Sequence, residues 1–134
     1  MVTAKRRKVT TTSEKLVGET RAVITVSRDD KSTKRIRSSC IVDTGSDWTV
    51  LPADVLRGLG IKPHRREEFA LANGSRVERN IGRAFVRYRG VGEFTPVVFG
   101  EDGDARLLGV VTLELLGLGV DPLRRELFPL DLRL

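Results

Sequence analysis

The chain has 134 residues, of which 40% are hydrophobic and 31% charged, and this composition is typical of one globular domain. A single cysteine, Cys40, and a single histidine, His64, exclude an internal disulfide framework and a Cys/His zinc cage. The net charge of +6 raises the possibility of a nucleic-acid partner, but the sequence contains no RNA-binding aromatic motif, zinc-finger spacing or helix-turn-helix pattern.

The first 17 residues are polar and basic, with Lys5-Arg6-Arg7-Lys8 at their centre. We expect a disordered tail over residues 1–17 and one domain over residues 18–134. No apolar segment follows the basic run, so a signal peptide is not predicted. Polar residues and glycines interrupt the richest apolar stretch, Leu107–Val120, which is therefore not predicted to span a membrane. We expect a cytoplasmic protein.

The first half of the domain is predicted to be β structure with one helical segment. Strands are expected at Arg21–Ser27 and Arg35–Asp43, with a polar turn between them. A short strand follows at Trp48–Leu51. Pro52–Arg57 predicts one or two helical turns, because proline suits the first position of a helix.

Two hairpins are predicted next. Glu68–Ala72 and Ser75–Arg79 flank Asn73-Gly74, a dipeptide typical of two-residue turns in which both positions have positive φ. Arg83–Arg89 and Glu93–Phe99 form the second pair. In the strand Arg83–Arg89, arginines alternate with apolar residues, which indicates a half-buried strand with an outward row of arginines.

The last third is predicted to contain a strand at Leu107–Val111 and a short helix at Thr112–Leu116. Thr112 suits the helix N-cap, and Gly117 lies just past the end. Strands are expected around Val120 and around Leu127-Phe128. The chain is thus predicted to be an all-β domain with one or two short helices.

Asp43 carries the most informative local pattern. It directly follows the apolar pair Ile41-Val42 and precedes a Thr44-Gly45 turn. One carboxylate is a weak catalyst of peptide hydrolysis, whereas two that share a proton can activate water and polarise a carbonyl. The chain has one Asp-Thr-Gly, and a two-fold dimer would supply the second copy. A structural Asx-turn is the alternative interpretation of this motif.

The sequence VDTGSDWTVLP, with the later Leu107-Leu108-Gly109, resembles the retropepsin-type aspartic proteases, the single-lobe homodimeric kind. It particularly resembles the small prokaryotic proteases of clan AA, which share the LANGS hairpin (Leu71–Ser75) and the GLGVDP segment (Gly117–Pro122). The resemblance covers roughly residues 18–128. It implies a single-lobe retropepsin-like β-barrel and an aspartic endopeptidase active as a homodimer on peptide or protein substrates. The sequence itself indicates no cofactor, metal or membrane partner, and a nucleic-acid partner, suggested by the net charge alone, is the least favoured interpretation.

The resemblance also implies individual roles. Asp43 is the expected catalytic aspartate, Thr44 bonds across the dimer axis, and Gly45 presents its carbonyl to substrate. Three residues support the active-site loop: Ser46, Leu108 and Gly109. The expected bond from the Ser46 hydroxyl to the carboxylate would favour ionised Asp43 and place activity at mildly acidic pH.

Six residues are expected to contact substrate: Asp47, Trp48, Val50, Asn73, Gly74 and Leu107. Asp47 would grip the substrate main chain, and Asn73-Gly74 would form the tip of a flap that closes over it. Two features depart from the family pattern. Val110-Val111 stands where a polar link usually braces the active-site loop, so that link is expected to be missing. The bulk of Trp48 predicts a small or blocked adjoining pocket. A non-catalytic dimeric module of the same fold, binding peptides or partners, is the alternative function.

Overall fold

The computed structural model of the protein describes residues 18–134, so the predicted basic tail at residues 1–17 lies outside the described residues. Nine strands and two short helices make up the described range. They are β1 (Arg21–Ser27), β2 (Arg35–Val42), β3 (Thr49–Pro52), α1 (Ala53–Gly58), β4 (Arg65–Ala70), β5 (Arg76–Tyr88), β6 (Val91–Gly100), β7 (Leu107–Leu108), α2 (Val110–Leu116), β8 (Leu118–Asp121) and β9 (Glu126–Pro129).

Seven of the strands form one sheet in the order β1-β2-β7-β3-β6-β5-β4, and β8 pairs with β9 in a separate ribbon. A further antiparallel pairing of β1 with β5 joins distant strands of the large sheet and curls it around a core. The prediction of an all-β domain with one or two short helices is confirmed, and the structure has two. No helix within residues 18–134 is long and apolar enough to cross a membrane.

The core lies on the inner face of this sheet. Along β1, Ala22, Ile24 and Val26 are buried while Arg21, Val23 and Thr25 between them face outward, as the period of two in a strand requires. The inner face packs against both helices through Leu56 of α1 and residues of α2. Cys40 is one of these packing residues, and burial raises the pKa of its thiol to about 11. It therefore has no reactive thiolate at neutral pH.

Two element boundaries differ from the prediction. β5 is one continuous strand, because its first half pairs with β4 and its second half with β6, so that Ile81 has a neighbour on each side. α2 begins at Val110, directly after the two-residue strand β7, with Gly109 as its N-cap. Thr112 is therefore a buried residue inside the helix and not its cap. Gly117 ends α2 in the left-handed conformation, with φ 69°, as predicted.

The Asn73-Gly74 turn also differs from the prediction. The loop between β4 and β5 has five residues, closed by a hydrogen bond from the Leu71 amide to the Ser75 carbonyl at 2.8 Å. Gly74 has φ 89°, whereas Asn73 does not have positive φ. Asn73 acts through its side chain, whose Oδ1 accepts bonds from the Ser75 amide at 2.9 Å and hydroxyl at 2.7 Å. An Asx-type turn thus replaces the expected two-residue turn.

Candidate active site

Asp43 lies at the carboxyl end of two parallel strands. β2 and β7 pair in parallel, with Val42 opposite Leu108, and Asp43 is the first residue past this pairing. Its amide donates to the Leu108 carbonyl at 3.0 Å, and its own carbonyl accepts from the Ser46 amide at 3.1 Å. The backbone on both sides of the carboxylate is therefore held in place.

The two carboxylate oxygens of Asp43 have different surroundings. Oδ1 accepts a hydrogen bond from the Gly45 amide at 2.9 Å. Oδ2 is buried, and no donor within residues 18–134 reaches it. Gly45 allows this close approach, since a Cβ there would lie 3.2 Å from Oδ1. The local Asx-turn accounts for one oxygen only, and the other has no hydrogen-bond partner among the described residues. Thr44, next to it, is exposed.

Ser46 does not make the bond expected of it. Its hydroxyl donates to the Trp48 carbonyl at 2.9 Å, so its single proton is directed along the loop and away from Asp43. The expected Ser46–Asp43 hydrogen bond is wrong for this structure. The hydrogen bond on which the expected mildly acidic pH of activity was based is therefore absent.

Gly109 is the point at which β7 crosses the active-site loop. A Cβ on this residue would lie 2.5 Å from the carbonyl carbon and oxygen of Trp48, so only glycine fits. The first amides of α2 then donate to the loop: Val110 to the Ser46 carbonyl at 2.9 Å and Val111 to the Asp47 carbonyl at 3.1 Å. Helix α2 is thereby attached to the loop by its backbone.

A polar link does brace the active-site loop, contrary to the expectation drawn from Val110-Val111. The Gly109 amide donates to Thr49 Oγ1 at 3.0 Å, and Thr49 Oγ1 lies 2.6 Å from Thr112 Oγ1. Thr112 Oγ1 lies 2.7 Å from Thr95 Oγ1, whose hydroxyl donates to the Pro96 carbonyl at 3.3 Å. All three threonines are buried, and the chain of bonds joins β3, α2 and β6 beneath the loop. We name Thr49, Thr95 and Thr112 the threonine network.

A groove of about 780 Å³ lies between the active-site loop and the hairpin formed by β4 and β5. Five of the six residues predicted to contact substrate line it: Asp47, Trp48, Val50, Asn73 and Leu107. Gly74, the sixth, is not among the lining residues. Gly45 and Ser46 also face the groove, so the loop that carries Asp43 forms part of its wall.

Trp48 connects the loop to the hairpin. Its ring packs edge-on against Phe69 of β4, with centroids 6.4 Å apart and an interplanar angle of 81°. The Arg65 guanidinium lies 5.8 Å from the centre of the same ring. Trp48 is half-buried on the groove wall and does not fill the groove, so a small or blocked pocket directly beside it stays a prediction. Phe69 is a groove residue that the sequence analysis missed.

An ion pair between Arg79 of β5 and Asp104 closes one side of the groove and was also missed. Arg79 Nε and Nη2 donate to the two carboxylate oxygens of Asp104 at 2.8 and 3.1 Å. The hydrogen bond with Asp104 raises the pKa of Arg79. Burial acts to raise the pKa of Asp104, but its bonds with Arg79 and with the Glu101 amide outweigh burial and lower that pKa. The pair ties the hairpin to the loop that precedes β7.

Comparison with known proteins identifies the fold. No protein-family model matches the sequence, and no curated protein matches it. Among solved structures, the chain is similar to the EIAV protease in complex with the inhibitor HBY-793, with a TM-score of 0.56 and 21% identity over 81% of this chain and 95% of that chain. The EIAV protease is a retroviral protease of the retropepsin type. The chain therefore has the single-lobe, β-rich fold of the retropepsins, as predicted.

Proposed function

We propose that the protein is an aspartic endopeptidase that is active as a homodimer. The observation that carries this proposal is Asp43, a carboxylate held at the end of two strands with one oxygen bonded to the Gly45 amide and the other buried without a donor. The retropepsin fold supports it, since the site occurs on a scaffold known for aspartic proteases. Membership of the small prokaryotic group remains a prediction.

The proposed mechanism uses the Asp43 carboxylates of both subunits. Brought together at a two-fold axis, the two groups share one proton, because like charges at short range cannot both ionise. The ionised carboxylate takes a proton from a water molecule, which attacks the scissile carbonyl carbon. The protonated carboxylate donates a hydrogen bond to the carbonyl oxygen as negative charge develops there. Proton transfer to the amide nitrogen then releases the amine, and no cofactor is needed.

Exposed apolar residues at the carboxyl end support dimerisation. Leu130 and Leu132 follow β9, with 46% and 83% of their reference surface exposed. Leu115 of α2 and Phe128 of β9 are also exposed. Such a concentration of exposed apolar side chains marks an interaction surface on a small protein. We propose that this segment packs against its own copy and holds the two Asp43 loops together.

The groove supplies the proposed substrate site. Trp48, Val50 and Leu107 provide apolar surface for side chains near the scissile bond. Asp47 is exposed at the groove and makes no ion pair within residues 18–134, so its carboxylate is free to accept from substrate amides. The hairpin tip at Leu71–Ser75 would close over the bound peptide and exclude water.

The test is digestion of a diverse peptide library by the wild type and Asp43→Asn, from acid to neutral pH, with products read by mass spectrometry. Asp102→Asn is the matched control, because it removes an exposed carboxylate of the neighbouring loop. We expect cleavage by the wild type and the control, and none by Asp43→Asn, with light scattering giving the same dimer for all three. Absence of cleavage by a dimeric wild type at every pH would favour the non-catalytic binding module instead.

A further inference from the structure

The strand register gathers five arginines onto one outer face of the sheet, and a turn adds a sixth. Direct pairs across a sheet share a face, so Thr25 of β1 aligns Arg37 of β2 with Arg87 of β5 in one row. Arg21, Arg35 and Arg83 occupy positions of the same parity in these strands, and Arg89, in the turn after β5, lines a hollow together with Arg21, Arg37 and Arg87. The six, which we name the arginine face, are Arg21, Arg35, Arg37, Arg83, Arg87 and Arg89.

This face is almost without compensating negative charge. Within residues 18–134 its only ion pair joins Arg21 to Glu19, with 2.6 Å between Nε and Oε2. The other five arginines make no ion pair with a carboxylate of the described chain. Unpaired cations on adjacent strands repel one another. An anionic partner that binds to this face relieves the repulsion among the five arginines, which makes binding favourable.

Two of these guanidinium groups, those of Arg83 and Arg87, are held against aromatic rings. Arg87 stacks 4.6 Å from the centre of the Phe85 ring, and Arg83 lies 4.3 Å from that of Phe94. The Phe85 and Phe94 rings themselves pack edge-to-face at 4.9 Å. Arg87 Nη2 also donates to the Asp30 carbonyl at 2.8 Å. Groups ordered in this way lose less conformational entropy when they bind than free arginines do.

The arginine face also contains a depression. Arg21, Arg37, Arg87 and Arg89 line a polar hollow of about 470 Å³ together with Val23 and residues near them. Its walls carry forked N–H donors suited to bidentate bonds with phosphate oxygens. A guanidinium that stacks on a ring below it leaves its other planar face open, and an unstacked base can lie on that face.

We propose that the arginine face binds the backbone of single-stranded nucleic acid. A nucleic-acid backbone carries a phosphate at every nucleotide, whatever its sequence, and these phosphates would match the cations spread over several β-strands. Single-stranded nucleic acid would also offer unpaired bases to the stacked guanidinium groups. An acidic protein segment is the competing occupant, but it offers carboxylates without planar bases. This proposal departs from the expectation that nucleic acid is not a partner. It does not rest on the proposed protease activity, because the face does not include Asp43.

The test measures binding of a fluorescent oligothymidylate of about 20 nucleotides by anisotropy, at several salt concentrations. The face variant is Arg37→Gln with Arg89→Gln. The matched control is Arg57→Gln with Arg124→Gln, which removes the same charge from exposed positions elsewhere. We expect the face variant to bind about tenfold more weakly, with a log–log salt slope shallower by about 1.4, and the control to stay within about twofold of wild type.

Two further variants decide the source of binding. A full-length chain with glutamine at residues 5–8 is expected to retain most of the affinity, and Arg37→Lys with Arg89→Lys is expected to recover part of what the glutamine pair loses. The proposal is overturned if the face variant binds as the control does, or if only the change at residues 5–8 abolishes binding. It is also overturned if polyglutamate of equal charge displaces the oligonucleotide as well as unlabelled oligothymidylate does, which would assign the face to an acidic protein segment.

Discussion

Replacing Thr112 by valine should destabilise the domain although valine has almost the same shape. Thr112 Oγ1 is the centre of the threonine network, at 2.6 Å from Thr49 Oγ1 and 2.7 Å from Thr95 Oγ1. Either hydroxyl can be the donor in each of these two bonds, and valine removes both bonds and leaves a buried hydroxyl group without its partner. All three side chains are almost completely buried, which keeps water from replacing the lost bonds.

The expected cost follows from these bonds. Two lost hydrogen bonds contribute about 1 kcal/mol each, and a buried hydroxyl left unsatisfied costs about 1–3 kcal/mol, so the free energy of unfolding should fall by about 3–5 kcal/mol. Such a loss lowers the melting temperature of a domain of this size by roughly 10–20 °C. Thr112→Ser is the matched control, since it keeps the hydroxyl and loses only a methyl group, worth about 1 kcal/mol.

Urea unfolding at a fixed protein concentration measures the effect. The single tryptophan, Trp48, lies in the active-site loop braced by the network, so its fluorescence reports unfolding where the change acts. We expect the valine variant to unfold at lower urea than the serine variant. If valine is as stable as serine or more stable, the hydroxyl contributes at most about 1 kcal/mol, and the proposed role of the network as a brace is wrong.

Three further predictions concern the site. Gly109→Ala should destabilise the fold by at least about 2 kcal/mol, because its Cβ would overlap the Trp48 carbonyl. Gly58→Ala is the control and should leave stability unchanged, because its Cβ meets open space. Thermal melting of the two variants compares their stability. Asp104→Asn should lower stability at pH 7, where the wild-type carboxylate is ionised. The deficit should shrink as the pH falls through the lowered pKa of Asp104, because the wild-type carboxyl is then protonated as well, and unfolding measured along an acid pH series checks this. Phe69→Ala should raise the KM for cleaved peptides more than it lowers kcat, since the ring lines the groove away from the carboxylate, and equal effects on both would contradict that placement.

Much of the fold could be predicted because its signals are local. The alternation in β1, the apolar end of β2 and the turn after Asp43 are each carried by a few consecutive residues. The left-handed glycine that ends α2 is also encoded locally. The start of α2 was missed because the tight crossing at Gly109 depends on the Trp48 backbone, which is distant in sequence.

The parts of the site that escaped prediction depend on distant residues. The threonine network joins residues of β3, β6 and α2, and nothing in their local patterns distinguishes them from other threonines. The Arg79–Asp104 pair joins positions 25 residues apart. Strand alternation identified the outward arginines of β5, but only the pairing of β1 with both β2 and β5 brings Arg37 beside them.

The central claim is that two copies of Asp43 form one active site. It can be tested by mixing wild type with Asp43→Asn in varying ratios at constant total concentration, after allowing subunits to exchange, and measuring cleavage of a peptide substrate. If both carboxylates are required, activity follows the square of the wild-type fraction, so an equal mixture retains about one quarter of the wild-type rate. An equal mixture that retains about one half would mean that each chain acts alone, and would contradict the paired-carboxylate account.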